Sequence, residues 1–233
     1  MGEQQMRLLY GTGNPAKLKV MKKQLEVLQK EFEIEIIGLQ DLELNEDTLV
    51  AANRKDYNQR IMDVPEEGST PLENARQKAQ TYYKKFGIPV FSCDSGLYIK
   101  ELPDSLQPGV HVRTINKKYL SDEEMLAYYS GLAERYGNLT ARYQNAICLI
   151  LNKNQIFESM ADSLASPPFL ITAKPHPIRK KGFPLDSLSL ELETGMYYYD
   201  RDPEKLDEIA VESGFLEFFR QCLKDFKKNG PIL

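Results

Sequence analysis

Between Tyr10 and Leu18 the chain reads Gly11-Thr12-Gly13-Asn14-Pro15-Ala16-Lys17. A glycine-rich turn, a good N-cap at Asn14 and a proline at the first helical position predict a strand-to-helix turn. Glycines let backbone approach a ligand closely, and free N–H groups at the positive end of a helix dipole favour a phosphate, with Lys17 adding a point charge. The same residues also make an ordinary tight turn before a well-capped helix, and they match neither the P-loop nor the dinucleotide pattern. A second stretch, Glu66 to Ala79, reads EEGSTPLENARQKA. Thr70, Pro71 and Glu73 form a capping box, which gives Glu73 a structural role. Lys78 lies five residues further on, about 140° round the helix, and need not share the face of Glu73. Glu66 and Glu67 precede the helix and become metal ligands only with a partner acid. Asp94, in Cys93-Asp94-Ser95-Gly96-Leu97, can be that partner. An acid at the end of an apolar strand stands where α/β proteins gather ligands; it can bind Mg²⁺, orient a water for attack on phosphorus, or merely cap its own turn. Finally, Lys174, Arg179, Lys180 and Lys181 crowd into the stretch that leads to Gly182-Phe183-Pro184-Leu185-Asp186. Such a run suits a polyphosphate or a solvated face. His176, between two prolines, reads as structural, Cys93 as an inert buried thiol, and Tyr197-Tyr198-Tyr199 as packing across a strand.

These residues need elements to hold them. Met6–Tyr10 is an apolar run ending at Gly11, and Pro15–Lys30 has Leu18, Met21, Leu25 and Leu28 on one helical face. Glu33–Gly38 alternates as a strand. Residues 45–65 are polar and weakly periodic, an excursion or insert. A helix is predicted over Thr70–Phe86, then a strand from Ile88 to Cys93 that ends at Asp94. Residues 101–119 read as loop. A third helix, Ser121–Tyr136, opens with a Ser121-x-x-Glu124 capping box. Ala141–Leu151 and Gln155–Ala161 pair around an Asn-Lys-Asn turn, Pro167–Leu190 has strand-like ends, and Ser213–Lys228 is a final helix rich in phenylalanine. This order predicts an α/β protein, with a division into lobes near residue 100 open but marked by no linker.

Composition narrows the function. With 233 residues, 42% of them hydrophobic, the chain can bury a sizeable core. A formal net charge of −4 disfavours bulk nucleic-acid or anionic-membrane binding. No run has the length of a signal peptide or a membrane span, and Cys93, Cys148 and Cys222 form no paired framework, which fits a reducing cytoplasm. His111 and His176 lack ligand spacing, so any metal is expected to be hard and bound by carboxylates.

Taken together and in this order, the motifs resemble the inosine triphosphate pyrophosphatase family, which removes noncanonical purine NTPs. The family's T-G-N-x-x-K corresponds to Thr12–Lys17, and its acidic-G-x-T-x-x-E-N-A-x-x-K-A to the block from Glu67-Gly68 to Lys78-Ala79. Its D-S-G-L corresponds to Asp94–Leu97, its P-G-V to Pro108–Val110, and its G-F-x-x-D to Gly182–Asp186. The resemblance spans roughly residues 6–190. It implies one domain over 1–233, with an elongated two-lobed α/β fold, a central mixed β-sheet flanked by helices and a cleft between the lobes. It further implies a Mg²⁺-dependent cytoplasmic enzyme, a homodimer, that cleaves a nucleoside triphosphate to monophosphate and pyrophosphate. By motif position, Asp94 and Lys78 are then catalytic. Glu66, Glu67 and Asp94 hold the metal, while Thr12, Gly13, Asn14, Lys17, Asn74 and Ser95 belong to the substrate site. Phe183 and Asp186 lie near base or sugar.

The chain also departs from the family. Cys93 stands where a second acid precedes D-S-G, Val20 where a glutamate follows the first motif, and Pro184 and Leu185 where the family has glycine and an aromatic residue. The C-terminal S-H-R that reads the purine 6-oxo edge is replaced by a stretch near Val211–Phe215 with neither His nor Arg. The phosphate half of the motif set is kept and the base half is not. Two alternatives therefore stand: a pyrophosphatase of the same fold acting on pyrimidine or modified nucleotides, and a nucleotide sensor without turnover.

Overall fold

Leu8, Leu9 and Tyr10 on one short segment and Ile34, Ile36 and Ile37 on another are all buried, and the two segments pair in parallel. They are Met6–Tyr10 (β1) and Ile34–Ile37 (β2), with Met6 opposite Ile34 and Leu9 opposite Ile37. The computed structural model describes residues 5–42, 64, 66–201 and 210–229. The polar stretch 45–65 therefore lies outside the described residues, Val64 excepted.

The single helix expected over Pro15–Lys30 is two helices, Pro15–Gln24 (α1) and Glu26–Phe32 (α2), broken at Leu25. The Gln29 side chain explains how the break is tolerated. Its amide donates to the carbonyl of Lys22 at 3.0 Å, while its oxygen accepts the N–H of Ile36 at 3.2 Å. A carbonyl released by the irregular turn is thus satisfied. Leu18, Met21, Leu25 and Leu28 are all buried, as their spacing predicts.

The remaining elements are Pro71–Phe86 (α3), Val90–Ile99 (β3), the small pair Thr114–Ile115 (β4) and Lys118–Tyr119 (β5), and Asp122–Tyr136 (α4). Leu139–Asn152 (β6), Gln155–Ser159 (β7), Phe169–Ile171 (β8), Ser189–Glu191 (β9) and Ala210–Asn229 (α5) follow. The large sheet is mixed, in the order β2-β1-β3-β6-β8-β9 with β7 also on β6. β1 is parallel to β2 and β3, and β6 is antiparallel to β7 and β8. The α/β class is as the element order predicts, and the central mixed sheet with flanking helices is as the family resemblance implies. Among the described residues no helix is long and apolar enough to cross a membrane.

Residues 101–119, expected as loop, contain the antiparallel pair β4 and β5, and two further segments differ from expectation. β3 does not stop at Asp94 but continues to Ile99, because Leu97 and Ile99 are themselves buried strand residues. Tyr198–Asp200 is a short 3₁₀ turn rather than a strand. The His176 ring lies 5.1 Å from that of Tyr197, which precedes the turn, and 5.5 Å from that of Tyr199 within it.

The chain forms two units, one of Met1–Asp94, Ala146–Ala161 and Glu212–Leu233, the other of Ser95–Asn145 and Asp162–Val211. A single division near residue 100 is thus too simple, since β3 and β6 each contribute residues to both. In the first unit, Leu9, Ile37, Val90, Ala146, Cys148 and Ile150 pack with Ala75, Ala79 and Tyr82 of α3. In the second, Leu97, Ile99, Leu139, Phe169 and Ile171 pack with Met125, Tyr129 and Leu132 of α4.

Candidate active site

The helix that carries Asn74 and Lys78 is fixed at both ends by its own sequence. Thr70 Oγ1 accepts the N–H of Glu73, and Glu73 Oε2 accepts the N–H of Ser69 at 2.7 Å, the Ser69 hydroxyl at 2.8 Å and the N–H of Thr70 at 3.3 Å. Pro71 occupies the first turn. Gly87, at φ 66°, ends the helix in the left-handed conformation glycine adopts without penalty. Ala75, Ala79 and Tyr82 form the buried face. Asn74 and Lys78, four residues apart, share a flank of the helix beside it.

Both reach Asp94. The Asn74 amide donates to Asp94 Oδ2 at 3.0 Å, and the Lys78 ammonium lies 2.9 Å from Asp94 Oδ1 and 2.9 Å from Glu66 Oε1. Asn74 is 1% exposed and Asp94 9% exposed. The Asn74 orientation is set from its other end, where Oδ1 accepts the N–H of Gly68 at 2.8 Å. Only glycine fits at position 68, since a Cβ there would come within 2.6 Å of Asn74 Oδ1. Burial pulls the Lys78 pKa down, but the Asp94 and Glu66 carboxylates outweigh it and leave it above the ordinary lysine value.

Neighbouring groups complete the setting within this unit. Tyr10 stacks on Phe91 with ring centroids 4.6 Å apart. Burial, then the nearby Cys93 and Asp94, push its phenol well above the usual range. Burial raises the Cys93 thiol to about 12 against the opposing pull of Lys78 and Lys17. Cys93 is thus a neutral thiol, inert as the sequence suggests, and Lys17 is within electrostatic reach of the strand that carries Asp94.

The first-motif turn is tighter than the sequence implies. Asn14 Oδ1 accepts the N–H of Ala16 at 2.9 Å and of Lys17 at 3.3 Å, and Thr12 Oγ1 accepts the N–H of Asn14. These N–H groups, which the spacing leaves free for a phosphate, are therefore held by side chains; the cap has outcompeted the cradle. Gly11 serves packing, because a Cβ there would meet Ser92 Oγ at 2.3 Å and Tyr82 at 2.6 Å.

The three proposed metal ligands are not gathered. Glu66 and Glu67 are both exposed, and Glu66 meets Lys78. Among the described residues no three His, Cys, Asp or Glu side chains cluster as a metal site. Two carboxylates, Glu66 and Asp94, do converge on one cation, the Lys78 ammonium. That hard-oxygen donor pair fits Mg²⁺, which is commonly bound by one or two carboxylates together with substrate phosphates and water.

Ser95, Phe183 and Asp186 belong to the second unit. Ser95 Oγ donates to Asn145 Oδ1 at 2.6 Å, and the Asn145 amide donates to the carbonyl of Leu164. Asn145 carries no sequence signal of its own, since it follows Arg142, Tyr143 and Gln144 in the polar half of β6. The Gly182–Asp186 loop is tied down at Asp122, whose carboxylate accepts the N–H of Gly182 at 2.7 Å and pairs with Arg113 at 2.7 Å. That N–H and the Arg113 guanidinium hold the Asp122 carboxyl below its usual range. Leu185 is 5% exposed and sits in the core, while Phe183 is 47% exposed with the Lys180 ammonium 4.5 Å from its ring centroid. Burial raises the Asp186 carboxyl, opposed by Lys180. His176 is structural as expected: Nδ1 accepts the N–H of Ile178, which leaves Nε2 to donate to Asp200 at 3.1 Å.

A helix-borne lysine and asparagine thus converge on a strand aspartate in a mixed α/β sheet. The Ham1 family profile matches residues 8–164, and the chain belongs to that family, as the motif resemblance leads one to expect. It is 28% identical over 163 residues to the dITP/XTP pyrophosphatase of Hydrogenobaculum sp. (strain Y04AAS1), an alignment covering 64% of this chain and 69% of that protein. It is 31% identical over 105 residues to the dITP/XTP pyrophosphatase of Porphyromonas gingivalis (strain ATCC BAA-308 / W83), covering 45% of this chain and 42% of that one. Its fold is similar to the structure of a HAM1 protein from Coxiella burnetii, with a TM-score of 0.67 at 22% identity, covering 95% of this chain and all of that one.

Proposed function

We propose that the chain hydrolyses a nucleoside triphosphate to the monophosphate and pyrophosphate, with Mg²⁺ as cofactor. The observation that carries this is the arrangement at Asp94: one oxygen fixed by Asn74, the other shared with Lys78, and Glu66 across the same ammonium. Phosphoanhydride cleavage asks for positioning and charge neutralisation more than for a strong nucleophile. Asp94 orients a water toward the α-phosphorus. The water oxygen bonds to phosphorus, the bond to the bridging oxygen breaks, pyrophosphate departs with that oxygen, and the water's proton passes to Asp94 and on to solvent. Lys78 and Lys17 hold the phosphate oxygens of the leaving group. Asp94 and Glu66 would hold Mg²⁺, which when bound supplies charge screening on those oxygens. Thr12 and Gly13, in the same unit as Asp94, belong to the phosphate contacts. The relatives named dITP/XTP pyrophosphatases support a noncanonical purine substrate such as ITP, dITP or XTP.

One observation favours a second base preference. The aromatic slot of the base motif is filled by Leu185, which is buried in the core and presents no ring. Pyrophosphate release from ordinary and deaminated NTPs with Mg²⁺ separates the cases. Turnover confined to deaminated purines supports the first reading, and turnover confined to pyrimidines the second. Nucleotide binding without product would leave a sensor and sink the enzymatic assignment. Asp94→Asn should lower kcat by about a hundredfold or more while the protein stays folded; an unchanged rate removes Asp94 from the chemistry.

A further inference from the structure

Lys78 Nζ stands 2.9 Å from both Asp94 Oδ1 and Glu66 Oε1, with its side chain 12% exposed. It sits where the two carboxylates that would hold a divalent ion converge, and Asn74 already engages the remaining Asp94 oxygen. From this we infer that Lys78 is a tethered cation which competes with the divalent ion for Asp94 and Glu66, so that the metal enters as a complex with the nucleotide rather than loading beforehand. The inference rests on the metal-dependent pyrophosphatase reading above.

Without nucleotide, an incoming divalent ion must displace the ammonium from both carboxylates or share them with it, and the second case sets like charges a few ångströms apart. A polyphosphate changes the balance. It offers the ammonium new anionic partners, and a lysine side chain with four rotatable bonds can swing to them while its backbone stays in α3. The vacated carboxylate oxygens then face the ion that the phosphates bring. Nucleotide and metal thus raise each other's affinity through one side chain, and by linkage the coupling is the same read from either ligand. The rest of the site suits such an exchange. Asn74 is locked by Gly68 and keeps Asp94 in place whichever cation occupies its other oxygen. Glu66 is half exposed at 52% and is the more yielding partner.

The test is a titration of Mn²⁺, a stand-in for Mg²⁺, followed by electron paramagnetic resonance, into the whole chain with and without an α,β-imido purine triphosphate that cannot be cleaved. The unaltered chain should bind Mn²⁺ weakly alone and more tightly with the analogue. Lys78→Met should bind Mn²⁺ alone roughly tenfold to hundredfold more tightly, the range set by removing one unit charge near the ion in a half-shielded site. In that variant the analogue should add less. Lys78→Arg keeps the charge and should keep the weak affinity, which separates charge from loss of packing. If Lys78→Met binds Mn²⁺ no more tightly than the parent, or if the analogue fails to tighten Mn²⁺ binding by the parent, the competition is refuted while the metal site survives. Absence of Mn²⁺ binding in every variant, with or without analogue, would instead refute both the competition and the metal-dependent reading on which it rests. Should Lys78→Met fail to fold, the parent's response to the analogue decides alone.

Discussion

Asn74→Ala isolates the group that positions Asp94. Asn74 is 1% exposed, its amide nitrogen 3.0 Å from Asp94 Oδ2 and its amide oxygen 2.8 Å from the N–H of Gly68. Truncation leaves the buried Asp94 Oδ2 and the half-buried Gly68 N–H without their partner at once, while Asp94 Oδ1 keeps Lys78. A buried group deprived of its partner costs about 1–3 kcal/mol, and more when charged, so the variant should lose roughly 3–5 kcal/mol of stability. For a chain of this length each kcal/mol moves the midpoint by about 2–4 °C, which predicts a fall of roughly 6–20 °C. Calorimetry reads the midpoint, and pyrophosphate release at saturating NTP reads the chemistry. If Asn74 positions Asp94, kcat falls well below wild type at temperatures where the variant is fully folded, while KM changes less. A midpoint within 2 °C of wild type, or a full rate in the folded variant, would refute the account of Asn74 as the clamp on Asp94.

Two further outcomes follow from the same geometry. Leu185→Tyr, which restores a ring at the family's stacking position, should destabilise the chain by about 1–3 kcal/mol in urea unfolding, because that side chain lies in the core; an undisturbed urea midpoint would mean the ring points outward after all. The Lys78 pKa is raised in the folded state because Asp94 and Glu66 outweigh its burial. Its ion pairs therefore contribute stability that is fully present below the unfolded lysine pKa and lost as pH rises through the higher folded value. Urea midpoints of wild type and Lys78→Met should accordingly converge at strongly alkaline pH, and a constant gap between them would count against the pairing.

What the sequence made legible is what short-range rules govern. The capping boxes at Thr70–Glu73 and Ser121–Glu124 both form with reciprocal hydrogen bonds, because each needs only four consecutive residues. The spacing of Asn74 and Lys78 on α3 is equally local. Their meeting with Asp94 depends on how α3 lies against β3, a matter of sequence separations of 20 and 16 residues that no window reveals. The same limit explains the errors. Asp94 resembled a strand end because Ser and Gly follow it, yet buried Leu97 and Ile99 carry β3 onward. Asn14 reads as a cap, yet its side chain takes the N–H groups that the dipole argument leaves for phosphate. Leu185 showed as a missing ring, and only packing reveals it as a core residue.

Glu73 bears on how future variants of the E-N-A block should be interpreted. Its Oε2 receives three donors from Ser69 and Thr70, just ahead of the helix that carries Asn74 and Lys78. Removing this carboxylate loosens the first turn of α3, and with it the footing of both side chains that hold Asp94. A slow enzyme altered at position 73 would thus report a displaced helix start, and a direct bond between Glu73 and a bound ion would have to be demonstrated by some means other than a lost rate.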